Sequence, residues 1–150
     1  MDFAHAYLLA LAALTAYVGG VSALTTRVSY PLYAAVPAAA FVAYHRRYSR
    51  QILPVVIVPG FASFLACLAL PLVRPAAVPL WVAVLIAAGG LIALLATVTA
   101  AVPSHLLLQR DGFADGPYRR LRVADRIRTA ACGGSAALLV WCVALAFAAR

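Results

Sequence analysis

Residues 80–102 read LWVAVLIAAGGLIALLATVTAAV and contain no charged side chain. The hydrocarbon core of a bilayer is about 30 Å thick, and a helix needs about 20 apolar residues to cross it. An uninterrupted apolar segment of this length satisfies its backbone hydrogen bonds within lipid by forming a helix. The segment therefore predicts a transmembrane helix.

Three more segments have the same apolar character, at residues 4–24, 52–72 and 129–149. Hydrophobic residues make up 66% of the chain and charged residues 11%, against about 45–50% and about 25% in a soluble domain. A cleaved signal peptide is the alternative for residues 4–24, but no basic residue precedes them. The sequence thus predicts an all-α integral membrane protein, a single domain over residues 1–150 whose four transmembrane helices form an antiparallel bundle.

Residues 33–50 form a different kind of segment, because their apolar part is too short to cross a bilayer and HRRYSR follows it. Apolar and aromatic side chains recur at helical spacing along one face, and arginines lie opposite. The first set comprises Tyr33, Pro37, Ala40, Phe41, Tyr44 and Tyr48, and the second Arg46, Arg47 and Arg50. This pattern predicts an amphipathic helix that lies in the membrane interface.

The arginines predict an orientation, because ten of the twelve lie in two of the segments that connect or flank the spans. They are Arg27, Arg46, Arg47, Arg50, Arg110, Arg119, Arg120, Arg122, Arg126 and Arg128. With four spans these two segments lie on the same side of the membrane, and the positive-inside rule makes that side cytoplasmic. Both termini are then outside.

The basic character of the chain also bears on its partners. The net charge is +8, which by itself is typical of nucleic-acid-binding proteins as well. The arginines lie within a few residues of the spans, where anionic lipid headgroups explain them. We therefore expect membrane lipids and no nucleic acid as partners, and the sequence leaves the oligomeric state open, a homo-oligomer included.

The polar stretch VPSHLLLQRDGFADG, residues 102–116, interrupts this apolar chain and directs attention to His105. Pro103 has no backbone N–H and is expected to kink or loosen the helix there, and Pro59 is expected to kink the second span. Asp-Gly pairs at 111–112 and 115–116 predict turns that return the following chain toward the bundle, bringing Asp111 and residues 118–128 back over His105.

His45 lies at the border between the apolar and basic faces of its helix, so we expect both histidines to reach one pocket at the membrane boundary. An imidazole has an ordinary pKa near 6.5 and accepts a proton at neutral pH. A histidine at a helix end near the headgroups also fits a purely structural role. Asp125 and Arg128 are three residues apart and predict an ion pair on the helix entering the fourth span.

Neither metal nor cysteine chemistry has a specific pattern in this chain. Two histidines and an aspartate can bind a metal, but their spacing here is not diagnostic, so the expectation is no metal and no cofactor. Cys67, Cys132 and Cys142 form no metal-binding spacing. Cys67 and Cys142 are expected at similar depth, which leaves a structural disulfide open.

Residues 102–141, VPSHLLLQRDGFADGPYRRLRVADRIRTAACGGSAALLVW, resemble the segment joining the last two helices of small bacterial four-helix membrane proteins. These proteins are distantly similar to the anthrone-oxygenase-like family of polyketide pathways. The resemblance covers about a third of the chain well and implies a bacterial cell (inner) membrane protein. It also implies an enzyme that oxygenates a lipophilic, aromatic, polyketide-like small molecule without a cofactor.

Such chemistry needs a base, a cation that holds the oxyanion, and an apolar chamber. The candidate catalytic residues are His105, His45, Arg128 and Asp111. The candidate substrate-binding residues are Tyr44, Tyr48, Phe113 and Arg119. The same pocket would serve a cyclase or isomerase that works by proton transfer.

Two other classes of function remain open. A non-enzymatic small membrane subunit, carrier or chaperone would use its arginines only to bind lipid. Transport is less favoured, because the middles of the four spans contain no ionisable relay residue.

Overall fold

The computed structural model describes residues 2–148, which fold into four long helices with no β-strand among them. The helices are α1 (Phe3–Tyr33), α2 (Ala38–Val73), α3 (Leu80–Asp111) and α4 (Asp115–Ala148). Each is long and apolar enough to cross a membrane. The predicted all-α membrane bundle is therefore confirmed.

The four helices form a ring in which each packs against two neighbours. α1 contacts α2 and α4, and α3 contacts the same two helices on the other side of the ring. Because the connections are short, at residues 34–37, 74–79 and 112–114, consecutive helices are antiparallel. The connections at 34–37 and 112–114 lie at one end, which we call the arginine-rich end because the arginine-bearing parts of α2, α3 and α4 flank them.

A pair of glycines in α3 permits its close approach to both neighbours. A Cβ atom on Gly90 would lie 2.7 Å from Cβ of Cys67 and 2.9 Å from the backbone oxygen of Phe64, both in α2. A Cβ atom on Gly89 would meet the hydroxyl of Ser135 in α4. Adjacent positions on a helix point in different directions, so the two glycines serve two different interfaces.

Gly90→Ala is expected to destabilise the bundle by about 1–3 kcal/mol, because the new methyl group meets backbone that cannot move aside easily. Gly134→Ala is the matched control, since a Cβ there meets nothing within 4 Å. The free energy of unfolding, measured by denaturant titration in bicelles, should fall only for the first variant. Equal stability of the two variants would show that α2 and α3 are not closely packed.

Three of the helices contain a π-helical segment, and each segment is followed two residues later by a proline. The segments are Thr25–Ser29, Leu53–Ile57 and Thr97–Ala101, and the prolines two residues beyond their ends are Pro31, Pro59 and Pro103. Proline cannot donate to the carbonyl four residues earlier, and its ring clashes with that carbonyl. The wider turn relieves this clash. Near Pro59 and Pro103 the helix thus departs from regular α-helical geometry as a π-helical segment.

The carbonyl groups released by two of these prolines are bonded by neighbouring helices. The Tyr17 hydroxyl in α1 donates to the Val55 carbonyl at 2.9 Å, four residues before Pro59. The Arg120 guanidinium in α4 donates to the Thr99 carbonyl at 2.6 Å, four residues before Pro103. Backbone groups within lipid need protein partners, so these bonds convert local defects into contacts between helices.

Two predicted boundaries require correction. The amphipathic segment predicted at residues 33–50 is helical from Ala38 and continues without a break into the second span, as part of α2. Gly112, with φ of 88°, ends α3 as the first Asp-Gly pair predicted, but Asp115 and Gly116 begin α4 instead of forming a turn. Burial of one face of residues 115–128 stabilises helix there, and this outweighs the turn preference of Asp-Gly.

Candidate functional site

The two predicted histidines are in direct contact at the arginine-rich end of the bundle. His105 Nδ1 lies 3.1 Å from His45 Nε2, and His105 Nε2 lies 3.2 Å from the Tyr30 hydroxyl. The Ser49 hydroxyl lies 3.5 Å from His45 Nδ1. We call these four residues the histidine chain; it joins α1, α2 and α3.

The histidine chain is arranged so that protons can pass along it. A neutral imidazole has one nitrogen that donates and one that accepts, so the contact between His45 and His105 requires complementary tautomers. A proton accepted at the Tyr30 end reverses the donor and acceptor roles along the chain. His45 is 0% exposed and His105 is partly buried, so water competes little for these bonds.

A buried ion pair lies beside the chain on α4. The Arg128 guanidinium donates to Asp125, and the Thr26 hydroxyl donates to the other oxygen of the same carboxylate. Thr129 lies 3.1 Å from Thr26, between their hydroxyl oxygens. Arg128 also lies close enough to Tyr30 for the two side chains to interact electrostatically, which connects the ion pair to the histidine chain.

The ion pair predicted between Asp125 and Arg128 is therefore confirmed, and the structure adds that it is buried. Asp125 is 0% exposed and Arg128 is 5% exposed. Burying two charges is costly unless they are paired and hydrogen-bonded, as they are here. Such a pair is a stronger functional candidate than the surface pairs common on helices.

A narrow opening between α1 and α2 leads to Arg128. We call it the α1–α2 cleft, and its lining residues are Val18, Ser22, Val56, Ile57, Gly60, Phe61, Phe64, Thr97 and Arg128. Its volume is about 240 Å³ when the open space at its mouth is included, and its interior has room for about one water molecule. The lining is apolar apart from Ser22, Thr97 and Arg128.

Aromatic rings surround His45. Phe41 stacks on its imidazole at 5.6 Å between ring centroids, and Tyr33 meets it edge-on at 5.3 Å. Of the predicted substrate-binding residues, Phe113 packs on Phe41 at 5.4 Å and Tyr48 on Tyr33 at 5.3 Å. Both residues thus extend the aromatic packing around the histidine, and Tyr48 also lines an open surface groove with Tyr44.

The third predicted aromatic residue, Tyr44, lies farther out. It stacks on Tyr48 at 6.2 Å and remains 36% exposed. It therefore faces the surroundings of the bundle more than the histidines.

Two predicted site residues are not brought to the cluster. Asp111 is exposed at the end of α3, where the Arg110 guanidinium donates to it at 2.7 and 2.8 Å. Arg119 is exposed on α4. The expectation that a turn returns Asp111 over His105 is wrong, because the chain after Gly112 continues into α4 and the carboxylate stays at the surface.

Sequence reasoning did not assign roles to Thr26, Tyr30 or Thr129. Tyr30 directly precedes Pro31, as Val102 precedes Pro103, and that shared pattern is a signal that could have marked it. Tyr30 is further positioned by Tyr118, whose hydroxyl donates to its backbone oxygen at 3.0 Å. This oxygen belongs to the last turn of α1, where carbonyls lack helical partners.

Among residues 2–148, no three His, Cys, Asp or Glu side chains converge in a way that could hold a metal ion. Cys67 and Cys142 lie in the same apolar cluster at the opposite end of the bundle, both as free thiols. Comparisons of the chain with protein-family models, with curated proteins and with solved structures find no match.

Proposed function

We propose that this protein is a membrane-embedded enzyme that transfers a proton to or from a lipophilic small molecule. The observation that carries the proposal is the histidine chain, in which the buried imidazole of His45, the partly buried imidazole of His105 and a tyrosine hydroxyl are in contact beside the Asp125–Arg128 ion pair. Polar groups are expensive inside a membrane protein, and an anchor that only binds lipid headgroups has no need of them there.

The geometry suggests a role for each group. A substrate whose oxygen lies against Arg128 places its acidic C–H or O–H near Tyr30, because these two side chains are adjacent. The Tyr30 hydroxyl gives its proton to His105 Nε2 as it takes the proton of the substrate. His105 can pass its Nδ1 proton to His45.

The electrons of the broken C–H or O–H bond remain on the substrate as an oxyanion, which the Arg128 guanidinium stabilises. Return of the proton at another carbon gives isomerisation. Attack of the anionic carbon on a carbonyl carbon of the same molecule gives cyclisation, with the proton returned to the alkoxide that forms when the C=O π bond breaks. An anion formed in this way would also react with dioxygen, the chemistry that the resemblance to anthrone-oxygenase-like proteins implies. Aromatic, polyketide-like molecules fit this scheme, because they are lipophilic and form stabilised anions.

In this proposal the arginine-rich end faces the cytoplasm of a bacterial cell, so the site lies at the level of the inner leaflet. Substrate dissolved in the bilayer then reaches it from the side. The alternative of a carrier or small structural subunit would use the same cluster only to hold the helices together.

The experiment that separates these functions measures proton abstraction itself. Purified protein in nanodiscs in D₂O is mixed with lipophilic enolisable ketones and phenols and with a lipid extract of the producing cells. Mass spectrometry then follows deuterium incorporation into each compound.

We expect incorporation into at least one compound to be faster with the protein than without it, and His105→Ala to abolish this difference. The control is His5→Ala. His5 lies at the opposite end of the bundle, where its backbone N–H and its ring bond to Asp2. Faster incorporation that persists in folded His105→Ala protein would overturn the assignment. Absence of any incorporation with the wild type would favour the non-enzymatic alternative.

A further inference from the structure

The Arg128 side chain has a donor that its known partners do not use. Its terminal nitrogen donates to Asp125, but Nε, also buried, has no hydrogen-bond acceptor among the described residues 2–148. Buried N–H groups are nearly always bonded in proteins, and one left unbonded costs about 1–3 kcal/mol. Arg128 is 5% exposed and lines the α1–α2 cleft, so the cleft is the space from which a further acceptor can reach this side chain.

The α1–α2 cleft has few polar side chains besides Arg128. The Thr97 hydroxyl donates to the Ala93 carbonyl of its own helix at 2.7 Å. The remaining lining is apolar apart from Ser22. A ligand in the cleft thus needs one hydrogen-bond-accepting oxygen and an otherwise apolar body.

The charges already present in the site indicate whether the oxygen of the ligand is charged or neutral. Arg128 and Asp125 already neutralise each other within the bundle. A carboxylate, sulfonate or phosphate ligand would bring an uncompensated negative charge into a site of low dielectric, next to the Asp125 carboxylate. An uncharged carbonyl oxygen accepts the Nε hydrogen bond without that cost.

We infer that the α1–α2 cleft is a binding site for an uncharged lipophilic carbonyl compound, which enters from the bilayer and accepts a hydrogen bond from Arg128 Nε. The inference rests on the proposed function in taking this compound to be the substrate. An anion then arises only after proton abstraction, so Arg128 binds it more strongly in the transition state than in the ground state, as catalysis requires.

The route of entry in this inference is the wall of the cleft that α2 forms. Val56 and Ile57 belong to the π-helical segment of α2 and are partly exposed. Gly60, one turn further along α2, leaves the floor open: a Cβ there would meet only the Phe64 ring, at 3.6 Å. The head of the ligand takes the water-sized space, and its apolar body lies outward along this wall.

The test uses three probes of matched length: 2-undecanone, 1-decanesulfonate and undecane. The protein is labelled with ¹⁵N-arginine in phosphatidylcholine nanodiscs, and the buried Nε–H resonance is identified by its loss in Arg128→Lys. We expect 2-undecanone to shift this resonance in a saturable way and undecane to leave it unmoved. The sulfonate should bind at least tenfold more weakly than the ketone.

Gly60→Val places two methyl groups in the cleft and should weaken ketone binding tenfold or more. Gly134→Val is its control, because nothing lies within 4 Å of a Cβ at Gly134. Equal or tighter binding of the sulfonate, or an Nε resonance that the ketone never shifts, would overturn the inference. Deuterium incorporation that depends on His105 would still support the proposed function in that case, so the two failures are distinguishable.

Discussion

Asp125→Ala is expected to lower the free energy of unfolding by about 3–5 kcal/mol, because it leaves the Arg128 charge buried without its partner. Asp125 is 0% exposed and accepts from both Arg128 and Thr26, and of these two the Thr26 hydroxyl has further partners, in the Ser22 carbonyl and the Thr129 hydroxyl. No water-filled space around Arg128 compensates, since the α1–α2 cleft has room for about one water. The measurement is denaturant-induced unfolding in bicelles.

The double variant Asp125→Ala, Arg128→Met is the decisive comparison. It removes both charges and replaces the guanidinium with an apolar side chain, so we expect it to recover most of the lost stability. Asp111→Ala is the control, because the Arg110–Asp111 pair is exposed and its loss should leave stability unchanged within error. An Asp125→Ala protein as stable as the Asp111→Ala protein would show that the pair is not buried in the membrane-embedded protein.

Either His45→Ala or His105→Ala is expected to lower the rate of deuterium incorporation about a hundredfold or more, the usual effect of losing general acid–base catalysis. The double variant should be no more than a few-fold slower than either single variant. The two imidazoles are 3.1 Å apart and act in one relay. Loss of either one already abolishes proton transfer along the relay, so loss of the second lowers the rate little further.

A conservative variant separates this role from a structural one. His105→Gln can bond both His45 and Tyr30, yet a glutamine amide does not take up a proton at neutral pH. We expect it to retain the thermal stability of the wild type and to be as inactive as His105→Ala. An active His105→Gln protein, or losses in the two single variants that multiply in the double variant, would rule out the relay.

The contact between the two histidines was predictable because it depends on little more than membrane depth. His45 and His105 both follow apolar segments, and antiparallel helices bring those segments to the same end of the bundle. Tyr30 and Thr26 share that depth, but their roles depend on the rotation of α1 about its axis. Packing against α2 and α4 sets that rotation. The sequence of a helix that is apolar on most sides has no periodicity that would show it.

Asp111 and Asp125 illustrate the same limit for charged residues. Both belong to the chain segment between the third and fourth apolar runs, and the turn preference of Asp-Gly favoured the first as a site residue. α3 ends beside Asp111 and exposes it, while Asp125 lies one helical turn after Leu121 on the buried face of α4. Which carboxylate is buried depends on which face of each helix packs against the rest of the bundle.

The sequence by itself determined the four membrane-spanning helices, the clustering of arginine at one end and the Asp125–Arg128 pairing, because each depends on composition or on spacing within one helix. The tertiary structure alone decided that this pair is buried, that Thr26 and Tyr30 complete it, and that the α1–α2 cleft opens onto Arg128. These features join side chains that are far apart in the sequence, such as Thr26 and Asp125, which are 99 residues apart. Their meeting depends on how four helices rotate and pack against one another, and no local pattern in the chain encodes those rotations.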